Sequence, residues 1–276
     1  MYFGLSEEQK SLEENIKRYL AENAPLDKIK AVANGDDGEA DSVHKGIIEL
    51  GLSGLLVPEQ YGGLELNMLF ATVVSAALGS GTAPVPYVGS YVMAPLALNL
   101  AGSEEQKKSY LPELASGRTL GAFGLTEPDA GSDAGSTKTK AVKSGDEYIV
   151  NGGKIFITNA GEAGFLSFTS QVVEDENSLG IGAFIIPTDT LGLEIGKKEK
   201  KMGWKASDTR QIYFKDMRIP STAMLCTPGN GFKAFMKTLA SGRISIGALS
   251  IGTALGAYER ALEYSRERMA FNKPIH

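Results

Sequence analysis

The feature that most constrains the fold is a change of texture near Leu120. From there the chain carries seven short runs rich in β-branched and aromatic residues: Leu120 to Leu125, Lys138 to Val142, Glu147 to Val150, Lys154 to Ile157, Phe165 to Val173, Ile181 to Ile186 and Arg210 to Phe214. Gly, Asn, Asp and Pro separate them, as in Ser144-Gly145-Asp146 and Asn151-Gly152-Gly153. No helical period lies between the runs, so βαβ units are excluded. The spacing predicts an antiparallel β-barrel or sandwich.

Both flanks read as helices. Ser6-Glu7-Glu8-Gln9 has capping-box spacing, and Leu12, Ile16, Tyr19 and Leu20 follow at helical steps, predicting a helix from about Glu7 to Glu22. Asn34 to Glu39 is a polar breaker, and a helix at Ser42 to Leu50 stops at Gly51. Pro58 to Gly63 is a turn-rich loop, followed by a buried helix over Asn67 to Leu78 and another over Ser90 to Leu100. Ser103-Glu104-Glu105-Gln106 repeats the capping signal. From Phe232 to about Met269 the pattern fits one kinked helix or a helix pair, ended by Pro274, and Gly252-Thr253-Ala254-Leu255-Gly256 lets another helix approach closely. The expected architecture is therefore α+β and multidomain: an N-terminal α domain over 1–117, a middle β domain over 118–226, and the start of a C-terminal helical bundle over 227–276. The apolar surface of that last element calls for partner helices.

Scarce residues narrow the chemistry. Histidine occurs only as His44 and His276, and cysteine only as Cys226. An internal disulfide, a zinc site with two or more cysteines and a multi-histidine metal centre are excluded. Catalysis must rest on carboxylates, hydroxyls or an organic cofactor. With 28 Lys+Arg against 33 Asp+Glu, the chain lacks the basic excess of a nucleic-acid binder. The cluster Lys197-Lys198-Glu199-Lys200-Lys201 reads as a solvated loop or strand edge. No apolar run reaches the roughly 18 residues of a membrane span. Met1 to Leu5 lacks the features of a signal peptide, and the lone cysteine points to the cytoplasm.

Three segments are candidates for a site. The loop within Gly121 to Ser136 exposes backbone N–H groups and hydroxyls at a sheet rim, yet it also reads as a plain connection; it is neither a Walker A loop nor a dinucleotide fingerprint. In Lys154 to Ala160, alternation places Phe156 and Thr158 on one strand face. An aromatic ring beside a hydroxyl suits a flat, hydrogen-bonding ring system, although a core Phe and a strand Thr fit the same pattern. Arg243 and Arg268, the latter near Phe271, have the chemistry to clamp a phosphate, or simply to satisfy a helix terminus.

Together these pieces resemble the acyl-CoA dehydrogenase family. The resemblance rests on Leu125 to Asp133, Asn151 to Ala160, Lys201 to Arg210 and Arg266 to Ile275, with Val57 to Gly63 and Glu105 to Pro112 as N-terminal landmarks, in order along the whole chain. It implies FAD between the middle and C-terminal domains and, as a rule, a homotetramer. Phe123, Leu125 and Thr126 would line the flavin, with Ser132 near both cofactor and acyl-CoA. Phe156 would stack on the ring, and Thr158 would hydrogen-bond near its reactive nitrogen. Arg268 and Phe271 would contact the FAD of a neighbouring subunit, and Arg243 would sit near the CoA. The implied reaction is α,β-dehydrogenation of an acyl-CoA thioester, with electron-transfer flavoprotein as acceptor.

The sequence also departs from the family. One usual position of the catalytic Glu would follow His276. The other precedes Arg243, where this chain has Gly242, so no catalytic residue is named. Ala240 replaces a frequent Asp, and Asn272 a usual Gly. Three readings stay open: a truncated dehydrogenase, a non-catalytic subunit of a heteromeric dehydrogenase, suggested by Gly81 to Tyr87, or a flavin hydroxylase or nitroalkane oxidase of the same fold.

Overall fold

Local signals start the chain as the sequence predicts. The computed structural model describes residues 4–35 and 37–276. Met1 to Phe3, part of the segment read for targeting, and Asp36, in the expected breaker, lie outside the described residues. Helix α1 (Glu7–Asn23) opens with a full capping box: the Gln9 N–H donates to Ser6 Oγ at 3.2 Å, and the Ser6 N–H to Gln9 Oε1 at 3.0 Å. Two short helices follow, α2 (Leu26–Ala33), which the sequence pattern missed, and α3 (Asp37–Glu49). The buried helix is α4 (Met68–Ser80), capped by Asn67. A π-helical turn, Val88–Met93, leads into α5 (Ala94–Ala101). In α6 (Glu104–Ala115) Gln106 works twice: its carbonyl accepts from the Ser103 N–H, and its amide donates to the carbonyls of Thr222 and Met224. The capping residue thus pins the helical layer to the β domain.

The middle of the chain forms one seven-stranded sheet: β1 (Gly121–Gly124), β2 (Lys140–Ser144), β3 (Glu147–Thr158), β4 (Phe165–Glu174), β5 (Asn177–Pro187), β6 (Leu193–Lys198) and β7 (Thr209–Pro220). Its pairing is mixed rather than wholly antiparallel. One edge of β4 pairs with β5 along its length; the other runs parallel to β1 and then to β2. Chain reversal after the β2–β3 hairpin, across Asn159 to Gly164, produces this direction. Asn151-Gly152-Gly153, expected to separate two strands, lies inside β3 as a register shift. Gly152 makes that shift possible, with φ +137° and Thr139 Cα only 2.7 Å from where a Cβ would sit. Phe168 anchors the core between Phe214 and Phe184, with ring centroids at 4.6 and 5.5 Å.

Past the sheet the chain forms a single uninterrupted helix, α7 (Gly231–Glu267), of 37 residues, or about 55 Å along its axis. Its small-residue stripe packs on α4: a Cβ on Gly252 would fall 2.0 Å from the Ala76 carbonyl oxygen, and one on Gly256 2.0 Å from that of Ser80. The opposite face leaves Ile244, Ile251, Leu255 and Tyr258 exposed. Pro274 does not end this helix. Arg268 turns extended at ψ 119° and caps it; a hairpin of β8 (Met269–Ala270) and β9 (Lys273–Pro274) follows, turning through Phe271 and Asn272 at positive φ. Among the described residues, no helix is long and apolar enough to cross a membrane.

Candidate functional site

The end of β3 sets the geometry. Lys154 is buried, and its ammonium donates to Glu127 Oε1 at 2.7 Å, Thr137 Oγ1 at 3.0 Å and the Leu125 carbonyl at 3.1 Å. Glu127 also accepts from the Thr137 hydroxyl and from the backbone N–H groups of Lys138 and Thr139. Burial alone would raise its carboxyl pKa; these donors instead hold it down, to about 2. The Ile155 N–H donates to the Thr126 carbonyl at 2.9 Å. The Leu125–Ser136 loop is thereby stitched to the end of β3.

Strict alternation would put Phe156 on the buried side with Lys154. It fails, because the β3–β7 register shifts between Lys154 and Ile157. Phe156 takes φ +58° and stands 63% exposed, while Ile157 is buried and Thr158 half-buried. A bulge of this kind re-aims a side chain. Asn159, at φ +65° and fully buried, fixes the strand end: its amide donates to Ser90 Oγ at 2.8 Å, and Ser90 Oγ to the Gly121 carbonyl at 3.1 Å. Gly89 lies against Thr158, with Cγ2 at 3.7 Å from a notional Cβ.

Thr158 borders a cavity of about 370 Å³ enclosed by four separate segments. Val85 to Gly89 and Met93 form one wall, Leu249 and Ile246 of α7 a second, and Trp204, Ser207 and Lys201 a third. The walls are mainly apolar and, among the described residues, include no carboxylate. Gly242 is buried beside this cleft; a Cβ there would lie 3.1 Å from Met93 Cγ and Sδ. Tyr87 is 2% exposed, and its hydroxyl has no hydrogen-bond partner among the described residues. Burial pushes its phenol pKa up. Lys201 donates to the Ser207 carbonyl at 2.6 Å and Thr209 Oγ1 at 2.8 Å; burial, reinforced by Lys198, lowers its pKa.

Of the positions named from sequence, Thr158 alone borders this cavity. Phe123 stacks on Phe235 of α7 at 4.1 Å, and Leu125 belongs to the buried core. Thr126 is half-buried, and Ser132 is exposed on a loop whose Gly135 lies near Phe232. Phe123 and the Ser132 loop thus lie where the sheet meets the start of α7. Arg243 is exposed further along that helix. Arg268 and Phe271, both exposed, lie beyond its far end; Arg268 is about 50 Å along the helix from Phe235. They cannot serve the same site within one chain. Trp204, Tyr87 and Asn159 were missed as site residues, because the walls come from segments far apart in sequence; positive φ at a tryptophan is invisible in composition.

An apolar cleft bordered by the Thr158 hydroxyl, with the exposed Phe156 ring two residues away on the same strand, suits a flat heteroaromatic cofactor such as FAD: the ring offers a stacking face and the hydroxyl an edge contact. The helical layer, the mixed sheet and the long helix all contribute walls to this cleft. Family models then match the acyl-CoA dehydrogenase N-terminal domain over residues 6–118, the middle domain over 122–217 and the C-terminal domain over 229–276. A Bacillus subtilis (strain 168) protein named probable acyl-CoA dehydrogenase YngJ is 40% identical over 280 residues, covering 100% of this chain and 73% of that protein. Butyryl-CoA dehydrogenase from Megasphaera elsdenii superposes with a TM-score of 0.87 at 32% identity, covering 100% of this chain and 73% of that one. An acyl-CoA dehydrogenase from Bacillus anthracis complexed with FAD gives 0.89 at 31%, covering 98% and 46%. The chain belongs to the acyl-CoA dehydrogenase family.

Proposed function

We propose that the cleft holds FAD and an acyl-CoA thioester, and that this chain serves α,β-dehydrogenation of the acyl group. The observation that carries the reading is the junction at β3: Phe156 turned outward by a bulge, with Thr158 two residues on facing an apolar cavity walled by α7. Phe156 would cover one face of the flavin and Thr158 would donate to its edge. Phe123, Leu125 and Thr126 would support it, with Ser132 near both ligands and Arg243 toward the CoA. Arg268 and Phe271 would reach the FAD of a neighbouring subunit. The acyl chain would lie along Val85, Val88, Leu249 and Ile246, where excluded water makes the α proton easier to remove. When bound, FAD supplies the acceptor for the hydride leaving the β carbon. Electron-transfer flavoprotein would collect the electrons.

The α proton needs a base, and among the described residues the cleft has no carboxylate. Gly242, buried against Met93 at one family position for that group, favours a second reading: a non-catalytic subunit of a heteromeric dehydrogenase. Purified protein reconstituted with FAD is expected to bind butyryl-CoA, seen as a shift of the flavin spectrum, yet reduce an artificial dye slowly. Rapid turnover by this chain alone would remove the second reading. Failure to bind flavin, with Thr158→Val and Phe156→Ala indistinguishable from the parent, would remove both.

A further inference from the structure

A second cavity of about 340 Å³ adjoins the first. Ile29 and Ala33 of α2 form its far end, Thr82 to Val85 one side, and Met202 to Ser207 the other. Ala83, Val85, Trp204 and Ser207 border both cavities, so Trp204 stands at the partition. It is no ordinary core tryptophan. It is half exposed and held at φ +53°, a region that disfavours bulky side chains. The loop that holds it is closed by the Ser207 N–H donating to the Trp204 carbonyl at 3.2 Å, and is gripped by Lys201 through Ser207 and Thr209.

Ile29, Ala33, Ala83, Pro84, Val85 and Met202 give the second chamber an apolar lining. Two mainly apolar cavities that share a wall of Ala83, Val85, Trp204 and Ser207 match an elongated hydrocarbon better than a compact one. We propose, on the reading of the first cavity as the acyl site, that the second chamber receives the distal end of a long unbranched acyl chain passing Trp204. The protein then selects long-chain over short-chain acyl-CoA, and Ile29 and Ala33 set the upper limit.

Trp204 is the only tryptophan in the chain and therefore reports on the partition directly. The FAD-loaded protein is titrated with butyryl-CoA and dodecanoyl-CoA, following the flavin spectrum and Trp204 emission together. Both ligands should shift the flavin spectrum. Affinity should rise about fourfold for each methylene that becomes buried, until both chambers are filled. Emission should respond strongly to the long chain only. Ala33→Phe, which narrows the far chamber alone, should weaken dodecanoyl-CoA at least tenfold and retain butyryl-CoA binding; Ile29→Phe is the second variant, should the first fold poorly. Equal affinities, or equal emission changes with both ligands, or variants that leave the long-chain preference intact would overturn the assignment. If neither ligand shifts the flavin spectrum, the acyl-CoA reading fails and takes this one with it; if both bind without preference, only the second chamber falls.

Discussion

Two polar neighbourhoods meet on β3, and they are built on opposite terms. Around Glu127 and Lys154 the polar groups are buried and densely paired: one carboxylate takes donors from an ammonium, a hydroxyl and two backbone N–H groups. A few residues on, an exposed phenylalanine stands beside the cleft, and the cleft itself has a half-exposed tryptophan, both at positive φ, together with a buried tyrosine hydroxyl without a hydrogen-bond partner among the described residues. One register shift, between Lys154 and Ile157, separates the two. The first neighbourhood is complete without a ligand and holds the sheet to its loop. The second concentrates backbone strain and unpaired polarity where a ligand would lie, the pattern expected of a binding site rather than of a scaffold.

The largest effect should come from breaking the complete side. Lys154→Met leaves the Glu127 carboxylate buried without its cation and should cost about 3–5 kcal/mol in urea unfolding. The same carboxyl makes stability depend on pH. Its folded pKa, about 2, lies below the ordinary value of 4.5, so its contribution is fully present above pH 4.5 and is lost as pH falls from there through 2. Glu127→Gln should be less stable at neutral pH and show a flatter acid transition over that window. An acid transition unchanged by the substitution would mean that the pair does not hold the loop.

Gly252→Ala tests the joint between the two sides. Its Cβ would fall 2.0 Å from the Ala76 carbonyl, a rigid backbone atom, so α7 must shift away from α4. A loss of about 1–3 kcal/mol is expected. Because Leu249, one turn earlier, lines the cleft, ligand affinity should fall with it. Loss of stability with affinity intact would uncouple the cleft from the helix pair.

What was legible in the sequence was local. The capping boxes at Ser6 and Ser103 involve side chains three residues apart, and the strands announce themselves by β-branched and aromatic content. The small-residue stripe of α7 packs as read, with nothing more required of it. Less was legible where the partner is distant. Strand β6 pairs only with β7 at the sheet edge, and its Lys197 and Lys198 give it the composition of a solvated segment. Helix α2 is eight residues long, too short to show a period. The bulge at Phe156 depends on pairing with β7, some fifty residues on, and strand alternation within Lys154 to Thr158 cannot reveal it. Of the candidate site, the motif residues were visible and their grouping was not. That Arg268 and Phe271 fall at the far end of α7 follows only from that helix being continuous.

The smaller predictions fall on the cleft and the bulge beside it, where the comparison expects substitution to help folding. Phe156→Gly removes an exposed ring from a left-handed backbone position. It should leave stability unchanged or raise it by about 1 kcal/mol, against the usual destabilisation by Gly within a strand. Flavin affinity should drop in the same variant, which separates a stacking residue from a packing one. Tyr87→Phe is the finest test. A buried hydroxyl without a partner carries an uncompensated desolvation cost, so its removal at nearly constant shape should stabilise the free protein by up to about 1 kcal/mol. If the hydroxyl instead meets a polar atom of a bound ligand, the variant should bind that ligand more weakly while melting higher. Stabilisation without any change in binding would make Tyr87 a lining residue alone. A destabilised variant would show that the hydroxyl is already satisfied, by ordered water, and would bring this wall of the cleft closer in character to the Glu127 side.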